Sequence, residues 1–147
     1  MEALPIVLAN PGIAVSTPAV FAALANRQNP PLVLPEAFDD AAALVGALAG
    51  MRNDLEAPAR MIAPEIGTAL AALAETGAAL VRMSGSGATC FGLYRSAAEA
   101  ERAGARVQSA HPDWFVAADA TMAAKAPGHG RARQERARQG QAEQGQE

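Results

Sequence analysis

The chain is short of the residues that staple, anchor or address a protein. It has one cysteine, Cys90, among 147 residues, which excludes an internal disulfide and fits a reducing compartment. Aromatic residues make up only 4%, so the apolar half of the composition is mostly Ala, Leu and Val. Those side chains suit closely packed helices on a small sheet. No basic start leads into an apolar h-region of the kind a signal peptide needs. Gly, Pro or a charge interrupts every apolar stretch before membrane-spanning length. The net charge of −3 gives no footprint for nucleic acid. Cys90, His111 and His129 show no metal-ligand spacing. The expectation is a cytoplasmic protein with neither a membrane nor a nucleic-acid partner.

What is present reads as one domain followed by a tail. From Lys125 to Glu147 no aliphatic residue is larger than Ala, while Arg, Gln and Gly dominate. Such a segment cannot offset its ordering entropy, so 125–147 is expected to be disordered. Arg131, Arg133, Arg136 and Arg138 within it read as solubilising. Residues 1–124 parse as strand, helices, two strands, helix, strand. Pro5 to Ala9 is the first strand. Thr17 as N-cap and Pro18 at N1 open a helix whose inner stripe is Val20, Phe21 and Leu24. Asp39 or Asp40 caps a second helix that Gly50 stops. Asn53 and Glu56 stand at capping-box spacing, as do Ser96 and Glu99. Pro64 starts a helix carrying Ile66, Leu70 and Leu73, with Gly77 as its stop. Strands at Ala79–Met83, Ala88–Tyr94 and Trp114–Ala118 complete the order. It predicts an α+β, ferredoxin-like split βαβ: a small antiparallel sheet with helices packed on one face.

Three stretches carry possible chemistry. The first is the Gly/Ser turn in M-S-G-S-G-A-T-C-F-G-L-Y, Met83 to Tyr94. Its glycines take positive φ freely and its hydroxyls can close the turn or meet a ligand. It lacks the Lys and spacing of a G-x-x-x-x-G-K-[ST] loop and does not place Ser86 in a nucleophile elbow. A tight hairpin alone accounts for it. The second is N-P-G-I-A-V-S-T-P-A-V-F, Asn10 to Phe21, which a capped helix with one core aromatic explains. The third is R-N-D-L-E, Arg52 to Glu56, where a cap is the main reading and Asp54 has no basic or His partner nearby as a general base.

In this order, the three stretches resemble the C-terminal domain of the GHMP small-molecule kinases, over about residues 4–120. The resemblance implies a substrate wall at Thr17, Pro18 and Phe21, with the ring stacking near a cytidine base. It implies a nucleotide wall at Gly85, Ser86 and Gly87, where backbone N–H groups meet phosphates. The implied reaction is ATP- and Mg-dependent transfer to the 2-hydroxyl of a cytidine diphosphate-linked methylerythritol. In the family, the long phosphate loop, a Lys and a catalytic Asp lie in the N-terminal domain, and none of these is in this sequence. The chain is therefore expected to be inactive alone and to carry no catalytic residue or metal site. Two other readings stay open: a non-catalytic partner subunit for a separate N-terminal half, and a stand-alone small-ligand-binding module.

Overall fold

The structure, a computed structural model, describes residues 3–33, 35 and 37–122. The expected tail at 125–147 lies outside the described residues.

Alternation builds the sheet. In β1 (Pro5–Asn10) the fully buried Val7 and Ala9 alternate with Ile6 and Leu8, so opposite faces receive alternate side chains. With β2 (Leu80–Met83), β3 (Cys90–Leu93) and β4 (Phe115–Ala120) it forms a four-stranded sheet of order β2-β3-β1-β4. Every neighbouring pair is antiparallel, and Val7 lies between Gly92 and Ala118. Strand β3 sits between β1 and β2, and β1 between β3 and β4, which is the split βαβ arrangement expected.

Five helices connect the strands: α1 (Thr17–Ala22), α2 (Ala41–Gly50), α3 (Glu56–Ile62), α4 (Glu65–Ala74) and α5 (Ala97–Ala110). Helix α4 turns Ile66, Ala69 and Leu73 inward at i, i+3 and i+7, all fully buried. Burying Ile66 or Leu73 contributes about 1.5–3 kcal/mol each. Helix α5 adds Ala100, Ala103 and Val107 to the same core. Its Gly104 faces Ala118, where a Cβ would stand 3.4 Å from the alanine methyl, so the small residue sets how closely helix and sheet approach. The Ser96 hydroxyl accepts from Glu99 N at 3.2 Å, as the expected box requires, but the Glu99 carboxylate accepts from Arg95 N at 3.1 Å, one residue before the N-cap, instead of from Ser96 N.

One helix takes the other side of the sheet. Leu44, Val45 and Leu48 of α2 pack with Leu4, Leu80, Phe91 and Leu93. Asp40 caps this helix by accepting from Ala43 N at 2.7 Å. Arg82, on the same sheet face, donates to the carbonyls of Leu48, Ala49 and Met51 at 3.0–3.2 Å. A guanidinium there satisfies orphan carbonyls and meets the negative end of the helix dipole. Helices α4 and α5 share the expected face; the second, smaller cluster under α2 is an addition to it. Trp114 precedes β4 rather than starting it, stacks on His111 with centroids 3.7 Å apart, and packs against the main core.

Candidate functional site

Side-chain hydrogen bonds knit the three motif stretches together at one end of the sheet. Asn10, the last residue of β1, turns the chain: its Oδ1 accepts from Gly12 N at 2.8 Å, and its Nδ2 donates to Thr89 Oγ1 at 2.9 Å. That pins the Asn-Pro-Gly bend to the entry of β3. The chain then reaches α1, whose N-cap is Ser16 and not Thr17. Ser16 has extended backbone and its hydroxyl accepts from Ala19 N. Thr17 is thereby released from capping, and its Oγ1 lies 2.8 Å from Ser86 Oγ in the Gly/Ser turn.

Asn53 also departs from its expected role. No capping box forms with Glu56, because α3 starts after Leu55 without a side-chain cap. Instead Asn53 Oδ1 accepts from Leu55 N at 3.1 Å, an Asx turn. Its Nδ2 donates to Met83 O at 3.1 Å and to Gly85 O at 2.9 Å, more than thirty residues away or close to it. Phe21 is the third correction. It does not join Val20 in the core but is 49% exposed, and it shares a helix side with Thr17 through the i, i+4 spacing. Its ring borders a cavity of about 460 Å³ lined also by Leu24, Arg27, Pro30, Arg52 and Asp54. With Ser16 as N-cap, Pro18 stands second in α1 and not first as expected, still within its first turn.

The turn itself has a defined shape. Gly87 N donates to Ser84 O at 3.0 Å, with Gly85 at φ +54° and Ser86 at negative φ. Positive φ at the first central position only is the type II′ pattern, which suits a hairpin. Gly87 takes φ +90°, and a Cβ there would stand 2.8 Å from Ile66 Cδ1. Around Gly85 the space is open. Among the described residues, the amides of Gly85 and Ser86 have no acceptor. Two unclaimed N–H groups beside hydroxyls suit an anion such as a phosphate oxygen.

What the arrangement cannot do is equally physical. Asn10, Thr17, Asn53, Ser86 and Thr89 can donate and accept hydrogen bonds, but none exchanges a proton near neutrality. Asp54 is held by Arg52 at 2.8 Å, and Glu56 lies 3.5 Å from Arg60. Cys90, beneath the turn, is fully buried, and burial first, then the charge of Glu56, pushes its thiol up to about 12. It is no nucleophile in the folded state. No group of three His, Cys, Asp or Glu able to hold a metal occurs among the described residues. The amide donors of the turn fit phosphate oxygens.

Comparisons with known proteins identify the family. The family described as GHMP kinases C terminal matches residues 20–113, and the chain belongs to it. The class is thus a GHMP kinase C-terminal domain, built on the four-stranded antiparallel sheet above. The particular proteins it resembles share one name. It is 55% identical over 130 residues to 4-diphosphocytidyl-2-C-methyl-D-erythritol kinase of Paracoccus denitrificans, covering 85% of this chain and 47% of that protein. Against the protein of that name from Rhizobium meliloti it is 54% identical over 116 residues, covering 79% and 38%. A crystal structure of 4-(cytidine 5'-diphospho)-2C-methyl-D-erythritol kinase superposes with a TM-score of 0.63 at 28% identity, over 84% of this chain and 45% of that one. The chain therefore spans less than half the length of the relatives it matches. Among the described residues, no helix is long and apolar enough to cross a membrane.

Proposed function

We propose that this chain is the substrate- and nucleotide-side domain of an ATP-dependent kinase that phosphorylates the 2-hydroxyl of 4-diphosphocytidyl-2-C-methyl-D-erythritol, in the cytoplasm. Thr17, Pro18 and Phe21 form the substrate side, with the Phe21 ring offered to the cytosine base. Gly85, Ser86 and Gly87 form the nucleotide side, with backbone amides offered to the ATP phosphates. The phosphate loop, the Mg²⁺ ligands and the group that deprotonates the hydroxyl come from a half outside this sequence. The observation that carries the reading is the Thr17–Ser86 hydroxyl contact, which joins the two walls into one continuous surface. Such a surface can position reactants but cannot supply the counter-charge that phosphoryl transfer needs.

The test is ADP release with ATP, Mg²⁺ and the cytidine substrate. The chain alone is expected to give none, and the chain mixed with a phosphate-loop half of a relative is expected to turn over. Turnover by the chain alone at the rate of an intact kinase would place catalysis here and overturn the division of labour. A second reading, a stand-alone binding module, is favoured by one feature: residues of this chain line a cavity beside Phe21. Calorimetry separates them, because a module binds a cytidine nucleotide tightly without any second half.

A further inference from the structure

We propose that Asn53 is the positioning residue of the nucleotide wall: its amide clamps the Gly/Ser turn in the shape that leaves the Gly85 and Ser86 amides available to a phosphate. The clamp is a matter of counting. Both hydrogens of Nδ2 are used, on Met83 O and Gly85 O, and Oδ1 is used by Leu55 N. The Asn53 carbonyl in turn accepts from Glu56 N at 3.0 Å. One short side chain thus ends the coil before α3 and grips the tip of a hairpin more than thirty positions later. The tip has little else to hold it. Beyond its chain neighbours no atom lies within 4 Å of where a Gly85 Cβ would be, and among the described residues the tip is otherwise tied by the exposed Thr17–Ser86 contact and by the Gly87 N to Ser84 O bond. Asn alone among small side chains offers an acceptor and two donors at this reach. Asp keeps the acceptor and loses both donors, and it faces two carbonyl oxygens with a carboxylate. The neighbours Arg52 and Asp54 line the cavity beside Phe21, so the same segment borders the substrate side and holds the nucleotide side. The proposal rests on the assignment of the turn to ATP only for its catalytic consequence.

The experiment separates the two. In Asn53→Asp of the full chain, amide exchange is read at Gly87 and Ser84, whose N–H groups close the turn and the end of the hairpin, and at the amides of α3. Exchange at Gly87 and Ser84 is expected to rise roughly tenfold or more while α3 stays protected, because the Asx acceptor remains. Unchanged exchange in the turn overturns the proposal whatever the kinase assay shows. Equal loss of protection in α3 and the turn also overturns it, since Asn53 then only folds its own helix. If the Asp variant does not fold, Asn53→Ser carries the same readout without the charge. In the kinase reconstituted with a phosphate-loop half, the expected signature is about tenfold lower kcat/KM for ATP, with KM for the cytidine substrate changed less than about twofold. Loss at the turn without that signature removes the turn from the nucleotide site and leaves the clamp standing.

Discussion

Replacing Gly87 by Ala tests how the turn is built, because two separate costs meet at one position. The first is conformational: φ +90° lies outside the regions an L-residue occupies readily, and even the milder left-handed helical region costs about 1–2 kcal/mol. The second is steric. The new Cβ would stand 2.8 Å from Ile66 Cδ1 and 3.2 Å from Met83 Sδ, and Ile66 is fully buried, so overpacking adds about 1–3 kcal/mol. Gly85→Ala supplies the control. It bears the left-handed cost at φ +54° with nothing within 4 Å of the added methyl. Urea unfolding should therefore place Gly87→Ala about 1–3 kcal/mol below Gly85→Ala, with m unchanged. Ile66→Val removes the very methyl that the new Cβ would strike. Alone it costs about 0.5–1.5 kcal/mol; with Gly87→Ala it should cost less, giving a favourable coupling of about 0.5 kcal/mol or more. Equal stabilities for the two glycine variants, or strict additivity in the double mutant, would refute the close contact with α4.

Three further outcomes follow from the same geometry. Phe21→Ala should leave the urea midpoint nearly unchanged, because the ring is half exposed, while weakening cytidine nucleotide binding by about 1–3 kcal/mol if the ring stacks a base; calorimetry beside denaturation checks both. Arg82→Met keeps the apolar stem but removes three contacts to carbonyls at the end of α2, so it should cost about 1–2 kcal/mol and speed amide exchange in α2 ahead of α4. Cys90 has its folded-state thiol pKa raised to about 12 from 9.0. Its contribution is therefore complete below about pH 9, where both states hold the proton. It is lost as pH rises toward 12, since the unfolded chain ionises first. Iodoacetamide at pH 8 should label Cys90 only at the rate at which the protein opens, and rapid labelling of the native state would contradict its burial.

Much of the scaffold is legible in the sequence because its causes are local. The apolar strand at Pro5 to Ala9, the helical spacing of Ile66 and Leu73, the caps at Asp40 (expected there or at Asp39) and Ser96, and the glycines of the turn each act over a few residues, whereas Ala69 and not the expected Leu70 completes the buried face of α4. The three motif stretches also meet in space, since Thr17 reaches Ser86 and Asn53 holds Gly85. Local rules fail where a side chain has two possible partners and the better one is distant. Ser16 and Thr17 are both good caps, and only the approach of Ser86 decides that Ser16 caps while Thr17 reaches across. Asn53 fits a capping box on paper, yet the carbonyls of Met83 and Gly85 take its amide.

By itself, then, the sequence determined the order of elements, the antiparallel sheet and the kinship of its motifs, because hydrophobic period and turn chemistry are written residue by residue. Only the tertiary structure decided that α2 crosses to the opposite face, that Phe21 stays at the surface, and that Asn10, Thr17 and Asn53 lock three separate stretches into one wall. That locking depends on hydrogen bonds between residues roughly thirty to eighty positions apart, and no local pattern ranks such partners against nearer ones.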